Sequence, residues 1–193
     1  RKAPGLGNAS NYFSLTRLQT SGSVDLYGKR YRVVGTAWMD HEFFTGPSSS
    51  PVSGWNWFAL QFNNNTELML YQVRLKDGRV SPDSSGTYVA PSGGARHLDR
   101  NDFVITPGTS WTSPRTRARY PIQWQISVPP LHLQGQVSAP LRDQELVSKT
   151  RFSPTYWEGA VRFHGEAAGK AVSGVGYLEM TGYAPPADAP RKR

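Results

Sequence analysis

The strongest constraint on the fold is a rhythm of short apolar segments that glycine and proline interrupt at close intervals. Each segment is rich in Val, Tyr, Trp, Phe and Thr and alternates apolar with polar residues, which is the pattern of a half-buried β-strand. Turn signals at Tyr27-Gly28, Asn63–Asn65 and Asp77-Gly78 join several of these segments. The alternation predicts strands at 11–18, 22–27, 30–42, 55–63, 66–75, 102–106, 122–128, 131–138, 157–164 and 174–183. We therefore expect an all-β chain.

Helix is expected to be a minor component. No long segment has the three-to-four apolar spacing of a helix, and 141–149 favours at most a helical turn or two. The Ser-, Gly- and Pro-rich stretches 44–54 and 81–101 predict long loops. An antiparallel sheet of about eight to ten strands removes its edges most simply by closing on itself. We therefore predict a lipocalin-like antiparallel β-barrel, with a β-sandwich as the structural alternative.

Length and composition fit one folded domain. The chain has 193 residues, of which 37% are hydrophobic and 19% charged, so it can fill one core and does not resemble a disordered chain. We expect residues 1–9 to be a linker, residues 10–183 to form the barrel and residues 184–193 to be a disordered basic tail. No apolar run approaches the ~18 residues that a membrane-spanning helix needs. The prediction is therefore a chain that does not span a membrane.

The charge and the residue inventory argue against several functional classes. The net charge is +8, but five positive charges lie at Arg1, Lys2 and Arg191–Arg193, so we expect no specific nucleic-acid partner. The chain has no cysteine, which excludes thiolate catalysis and thiolate metal sites. It also lacks a His-Glu-x-x-His spacing, a Gly-rich phosphate loop and a Gly-x-Ser-x-Gly elbow. We therefore expect no metal and no cofactor.

Ionisable side chains stand in a row at the end of the segment 30–42. Asp40, His41 and Glu42 are consecutive, and strand alternation places Asp40 and Glu42 on one face with Trp38, while His41 lies on the other. Carboxyl groups in an apolar pocket suit ligand orientation or proton transfer. The structural alternative is that these carboxylates accept backbone or arginine hydrogen bonds and that His41 has a hydrogen-bonding role.

Later segments add aromatic and acidic candidates. Trp55 and Trp57 share one face of their segment, and Tyr71, Tyr156 and Glu158 lie in other apolar segments. With Trp38, these residues are the candidate ligand-binding set. The structural alternative is core packing for the tryptophans, and ion pairs of Glu67 with Arg74 and of Glu158 or Glu179 with arginines.

These motifs resemble the signature of the carotenoid 1,2-hydratase (hydroxyneurosporene synthase) and AttH-like lipocalin-like family. The resemblance follows one order through Trp38–Glu42, Gly54–Gln61, Glu67–Arg74, Tyr156–Val161 and Gly176–Tyr183. It implies a lipocalin-like fold and the C-terminal half of a protein whose N-terminal lipocalin-like half is a partner reached through the linker. It also implies a periplasmic or secreted location, for which the residues themselves give no sign.

The resemblance also implies a function. In the hydratase branch, an aspartate at the position that resembles Asp40 protonates an isolated carbon–carbon double bond. This implies a cofactor-independent lyase of the hydratase, isomerase or cyclase kind, with a hydrophobic isoprenoid or polyene substrate in a barrel pocket and Asp40, Glu42 and His41 as catalytic candidates. Two alternatives remain open from the residues: a non-catalytic carrier of a lipophilic ligand, and a structural half that packs against the N-terminal barrel.

Overall fold

The computed structural model describes residues 10–43, 51–150 and 153–185. In these residues the chain forms fourteen β-strands and two short 3-10 helices, at Arg100–Asp102 and Pro129–Leu131. The strands are β1 Asn11–Leu26, β2 Lys29–Phe43, β3 Val52–Phe62, β4 Glu67–Leu75, β5 Ser85–Val89, β6 Ala95–Leu98, β7 Val104–Pro107, β8 Ser110–Thr112, β9 Arg119–Pro121, β10 Gln123–Val128, β11 Leu133–Ser138, β12 Glu145–Leu146, β13 Tyr156–Ala167 and β14 Lys170–Thr181. The all-β prediction is confirmed.

Ten of these strands form one curled antiparallel sheet. Its order is β6-β5-β4-β3-β14-β13-β11-β10-β7, with β12 added beside β13. The end strands β6 and β7 are consecutive in the chain and are not paired with each other in the part of the chain described. Leu98 and Phe103, on either side of the short connection between them, are buried. The sheet is therefore a lipocalin-like half-barrel, and the short segment between β6 and β7 joins its two end strands.

Large apolar side chains fill the interior of the half-barrel. Alternation on β3 points Phe58, Leu60 and Phe62 inwards, where all three are buried. The ring of Phe58 meets that of Trp124 edge to face, with centroids 5.6 Å apart, and Trp157 is also fully buried. Interiors packed with rings in this way are as dense as organic crystals. The space in which we expected a substrate pocket is therefore occupied by the core.

A long β1–β2 hairpin, which we call the arm, packs by its base against the outer face of β3. The Gln61 Nε2 donates a hydrogen bond of 2.6 Å to the Thr16 carbonyl, and the Thr36 hydroxyl donates one of 2.9 Å to Gln61 Oε1. Arg17 forms an ion pair with the buried Glu67. The predicted turn at Tyr27-Gly28 is confirmed, whereas the predicted strands 11–18 and 22–27 are one strand with an irregular register between Leu15 and Leu18.

The prediction of a long loop at 81–101 is wrong. This stretch contains β5, which pairs with β4, and β6, which pairs with β5. A Cβ atom on Gly86 would lie 2.7 Å from both the Met69 carbonyl oxygen and the Leu70 side chain, so the glycine permits a close approach of two strands. Close packing of strands thus explains Gly86, whereas Ser92, Gly93 and Gly94 lie in the turn between β5 and β6.

Two other stretches also differ from their predictions. The segment 141–149 contains the short strand β12 in place of a helical turn, and the β8–β9 hairpin falls outside the predicted strands. The predicted linker 1–9, residues 44–50 of the predicted loop 44–54 and residues 186–193 of the predicted tail lie outside the described residues.

Candidate active site

A row of side chains crosses four neighbouring strands on the sheet face that points away from the core. The register pairs Glu158 with Glu179, Glu179 with Trp57 and Trp57 with Tyr71. Directly paired residues lie on the same face, with Cβ atoms ~5 Å apart. Trp55 lies two residues before Trp57 and so projects from the same face. Two carboxyl groups and three aromatic rings are therefore neighbours on the outer face.

The arm covers part of this row with its own acidic residues. On β2, Trp38, Asp40 and Glu42 share one face, as the sequence predicts, and the structure turns this face toward the sheet. The ring of Trp38 meets the ring of Trp57 edge-on, with centroids 6.2 Å apart. Asp40 and Glu42 face the space beneath, together with Tyr12 of β1.

Between the arm and the sheet lies a cavity of about 330 Å³, which we call the outer pocket. Its size is that of a small-ligand site. Its walls are Ser10, Tyr12, Asp40, Glu42, Trp55, Trp57, Met69, Tyr71, Ser85 and Glu179. Four of these residues are aromatic, three carry a carboxyl group and none is Lys, Arg or His. Five of them were selected from the sequence: Asp40, Glu42, Trp55, Trp57 and Tyr71.

Asp40 is surrounded by hydrogen-bond donors. The Ser14 hydroxyl donates a bond of 2.5 Å and the Trp38 Nε1 a bond of 2.9 Å, both to Oδ1. Tyr12 also hydrogen-bonds Asp40; burial and then this carboxylate raise the pKa of the Tyr12 hydroxyl well above its ordinary value, so the hydroxyl keeps its proton. The Asp40 carboxyl is thus held in a defined orientation at the pocket wall.

Glu179 is the acidic residue of the pocket that is most clearly perturbed. It is half-buried, and the Trp55 Nε1 donates a hydrogen bond of 2.6 Å to its carboxyl group. Burial raises the pKa of Glu179, and the negative charges of Glu158, Glu42 and Asp40 raise it further. The Trp55 bond acts in the opposite direction but does not reverse the shift. Glu179 therefore holds a proton to higher pH than an ordinary glutamate.

Tyr156 and Glu158 lie beside the outer pocket and are not part of its walls. The Tyr156 ring is 6.4 Å from the Trp55 ring, and burial raises the pKa of its hydroxyl, with Glu179 and Glu158 adding to the rise. Glu158 accepts a hydrogen bond from Tyr177, and burial raises its pKa as well. Both residues therefore extend the acidic and aromatic surface along the sheet.

The structure separates His41 from the pocket. Its ring stacks on Phe13 with centroids 5.2 Å apart and meets Phe43 edge-on at 5.5 Å, on the face of the arm opposite to Asp40. This placement agrees with the alternation expected from the sequence. His41 therefore cannot reach a ligand in the outer pocket without rearrangement of the arm.

The predicted ion pairs of the acidic residues are wrong. Glu67 pairs with Arg17, and Arg74 instead stacks 4.0 Å from the Tyr183 ring on the core side of the sheet. Within the described parts of the chain, the ion pairs include neither Glu158 nor Glu179. No arginine among the described residues therefore neutralises these two carboxyl groups.

Sequence reasoning missed Glu179 and Tyr12 as pocket residues. In the sequence, the expectation for Glu179 is an ion pair with an arginine, because its pairing with Trp57 depends on strands that are far apart in the chain. Tyr12 carried no signal beyond that of a strand residue. Among residues 10–43, 51–150 and 153–185, no group of three His, Asp or Glu side chains is arranged to hold a metal ion. No helix in the same residues is long and apolar enough to cross a membrane.

Comparisons with known proteins agree with this architecture. A family model described as AttH-like matches residues 1–183. Kievitone hydratase from Fusarium solani subsp. phaseoli is 26% identical over 179 residues, which are 87% of this chain and 48% of that protein.

Two solved structures resemble the fold. The crystal structure of an AttH-type protein from Nitrosomonas europaea superposes with a TM-score of 0.82 at 33% identity, covering 96% of this chain and 55% of that one. Kievitone hydratase from Nectria haematococca superposes with a TM-score of 0.71 at 21% identity, covering 89% of this chain and 52% of that one, and this likeness concerns the fold alone. The chain thus spans about half the length of the relatives that it matches.

Proposed function

Because the chain belongs to the AttH-like family, we propose that it is part of a cofactor-independent enzyme that adds water to an isolated carbon–carbon double bond of a hydrophobic isoprenoid or polyene substrate. The name of the hydratase relative supports the reaction type, and the resemblance to carotenoid 1,2-hydratases supports the substrate class. The observation that carries the proposal is the outer pocket, where the described wall residues bring three carboxyl groups among four aromatic rings and include no basic side chain.

Hydration of an alkene needs an acid that is still protonated near neutral pH. Glu179 fits this requirement, because burial and the neighbouring carboxylates raise its pKa. Asp40 has a different environment, in which Ser14, Trp38 and Tyr12 all direct donors at its carboxyl group. Two carboxyl groups in contrasting surroundings are the usual arrangement of an acid and a base. We therefore assign the donor role to Glu179 and the acceptor role to Asp40.

The proposed reaction balances with these two groups. The Glu179 carboxyl transfers its proton to one carbon of the double bond, whose π electrons form the new C–H bond. The other carbon becomes a carbocation, which faces the rings of Trp55 and Trp57 and the remaining carboxylates. A water molecule attacks this carbon through its oxygen and passes one proton to Asp40. Glu42 contributes negative charge beside the cation, and His41 has no role.

The test is a hydration assay with the complete protein. Candidate lipids are incubated in ¹⁸O-labelled water, and mass spectrometry measures the incorporation of one solvent oxygen into the product. We expect Glu179→Gln and Asp40→Asn each to lower kcat by about a hundredfold or more. Glu166→Gln is the matched control, because Glu166 is exposed at the far end of β13, bonded to Gln134, and should leave the rate unchanged.

The pH profiles separate the donor from the acceptor. A donor must be protonated, so its titration lowers the rate as pH rises; an acceptor must be ionised, so its titration lowers the rate as pH falls. Glu179→Gln should remove the high-pH limb of kcat/KM, whereas Asp40→Asn should lower the rate and leave that limb in place. A high-pH limb that Glu179→Gln keeps and Asp40→Asn removes would restore Asp40 as the donor, as the family resemblance implies. Both variants remaining within about threefold of the wild-type rate would refute the proposal.

A second candidate function is structural, and the arm favours it. Leu26 is 53% exposed and Val34 is 89% exposed on this hairpin. Such an apolar surface suits packing against another domain, and we propose that this chain is the C-terminal half of a two-barrel protein whose N-terminal half is that domain. The carrier alternative has its own outcome in the hydration assay. If mass spectrometry finds lipids bound to the protein but chemically unchanged, the chain is a carrier and the pocket is not catalytic.

A further inference from the structure

The outer pocket has the wrong charge for an acidic lipid. Its described wall residues include Asp40, Glu42 and Glu179 and no basic residue, although the chain as a whole has a net charge of +8. Burial and then the charges of Glu42 and Glu179 raise the pKa of Tyr71 well above its ordinary value. The pocket therefore already resists the formation of one more negative charge, and it should resist a bound carboxylate for the same reason.

Aromatic rings stand around these carboxyl groups at different angles. The Trp55 ring is tilted by 55° against Tyr71 and by 68° against Tyr156, with centroids 6.4 Å apart in both pairs. Trp57 stands on the next position of the same face and is held edge-on by Trp38. Tilted rings that surround a space present several negative π faces to it, which is how aromatic cages bind quaternary ammonium groups.

An apolar strip leads away from the cage. The register row next to the Glu179 row contains Ala160, Tyr177, Ala59 and Met69 across β13, β14, β3 and β4. Met69 is part of the pocket wall, and Tyr177 is 41% exposed. The side chain of Met69 and the ring of Tyr177 therefore extend the apolar surface of the cage along the sheet. Ala59 between them is buried, and the Tyr177 hydroxyl is bonded to Glu158.

We propose that the outer pocket binds an organic cation of the quaternary ammonium type that carries a hydrocarbon tail. The carboxylates compensate the positive charge, the rings of Trp55, Trp57 and Tyr71 contact the methyl groups of the head, and the tail follows the apolar strip. This binding goes beyond the proposed hydration and does not require the pocket to be catalytic. Where hydration does occur, the same cation resembles the carbocation intermediate and inhibits the enzyme.

The experiment measures binding to the complete protein by isothermal titration calorimetry. The probe is octyltrimethylammonium, with octanoate as the anionic control and octan-1-ol as the uncharged control, all below their aggregation concentrations. We expect the cation to bind about tenfold or more tightly than either control. Asp40→Asn keeps the oxygen that accepts from Ser14 and Trp38 but removes a carboxylate, and it should weaken cation binding about fivefold or more, as should Trp57→Leu. Glu166→Gln should leave it unchanged.

Far-ultraviolet circular dichroism shows whether each variant folds. If Trp57→Leu does not fold, Trp57→Phe replaces it. Trp57→Phe keeps an aromatic ring and should weaken cation binding less. Octanoate binding as tightly as the cation, or cation binding that Asp40→Asn leaves unchanged in a folded protein, would overturn the inference. The two proposals fail separately. A protein that binds the cation but hydrates nothing refutes only the hydration, and one that hydrates a lipid but ignores the cation refutes only the cation site.

Discussion

Glu145 connects β12 to the β8–β9 hairpin, and replacing it should destabilise the fold strongly. Its carboxylate accepts hydrogen bonds from the Ser113 hydroxyl at 2.5 Å, the Thr116 hydroxyl at 2.6 Å and the Tyr120 hydroxyl at 2.9 Å. Arg115 Nε lies 3.3 Å away. The Glu145 side chain has 0% exposure. The buried Glu145 carboxylate is therefore the hydrogen-bond acceptor for three hydroxyl groups and one guanidinium group.

The expected cost follows from these contacts. Hydrogen bonds to a charged group contribute about 1.5–3 kcal/mol each, and a buried hydroxyl left without a partner costs about 1–3 kcal/mol. In Glu145→Ala, the buried hydroxyls of Ser113 and Tyr120 lose their acceptor, while the partly exposed Thr116 and Arg115 can turn to water. We therefore expect a loss of about 3–5 kcal/mol in the free energy of unfolding, the range found when one partner of a buried charged network is removed.

Urea denaturation of the variants measures this loss. The matched control is Asp143→Ala, which removes another carboxylate bonded to Arg115. Because Asp143 is 50% exposed, its removal should cost less than about 1 kcal/mol. A Glu145→Ala loss below about 1 kcal/mol, at an unchanged urea dependence, would refute the reasoning.

The contribution of Glu145 should also depend on pH. Burial alone would raise the pKa of Glu145, but the bonds from Ser113, Thr116 and Tyr120 and the charge of Arg115 outweigh it and hold the pKa below its ordinary value. A carboxyl group with a lowered pKa in the folded state stabilises the fold above its unfolded pKa and loses this effect as pH falls through the folded pKa. The stability difference between the wild type and Glu145→Gln should therefore be largest at neutral pH and shrink in acid.

Two further predictions concern the arm and the sheet. Arg17→Met removes the ion-pair partner of the buried Glu67 and should loosen the contact between the arm and the sheet. Amide hydrogen exchange in residues 11–18 and 36–42 should then be faster than in the wild type, and unchanged exchange would contradict this prediction. Gly176→Ala should cost about 1–3 kcal/mol in the free energy of urea unfolding, because a Cβ atom would lie 2.0 Å from the Ala59 carbonyl oxygen. Gly22→Ala meets nothing within 4 Å and should be close to neutral; equal losses for the two glycines would argue against the steric explanation.

Local chemistry determined much of the fold in advance. Period-two alternation depends only on the pleat of a strand, so it predicted most of the long strands and the Tyr27-Gly28 and Asn63–Asn65 turns without knowledge of their partners. The same alternation correctly placed Asp40 and Glu42 opposite His41. These features need no information beyond a few neighbouring residues.

Only the tertiary structure decided where the pocket lies. Both faces of β3 are aromatic or apolar, with Trp55 and Trp57 on one side and Phe58 and Leu60 on the other, so alternation could not identify the inner face. Burial against β10 and β13 placed Phe58 and Leu60 in the core and left the tryptophans outside, beneath the arm.

The raised pKa of Glu179 and the strands within 81–101 also could not be predicted from the local sequence. The raised pKa of Glu179 depends on Glu158, Glu42 and Asp40, which lie on other strands, and β5 forms because β4 offers it unpaired backbone groups. Strand pairing brings together residues far apart in the chain, and no local pattern encodes which partners meet.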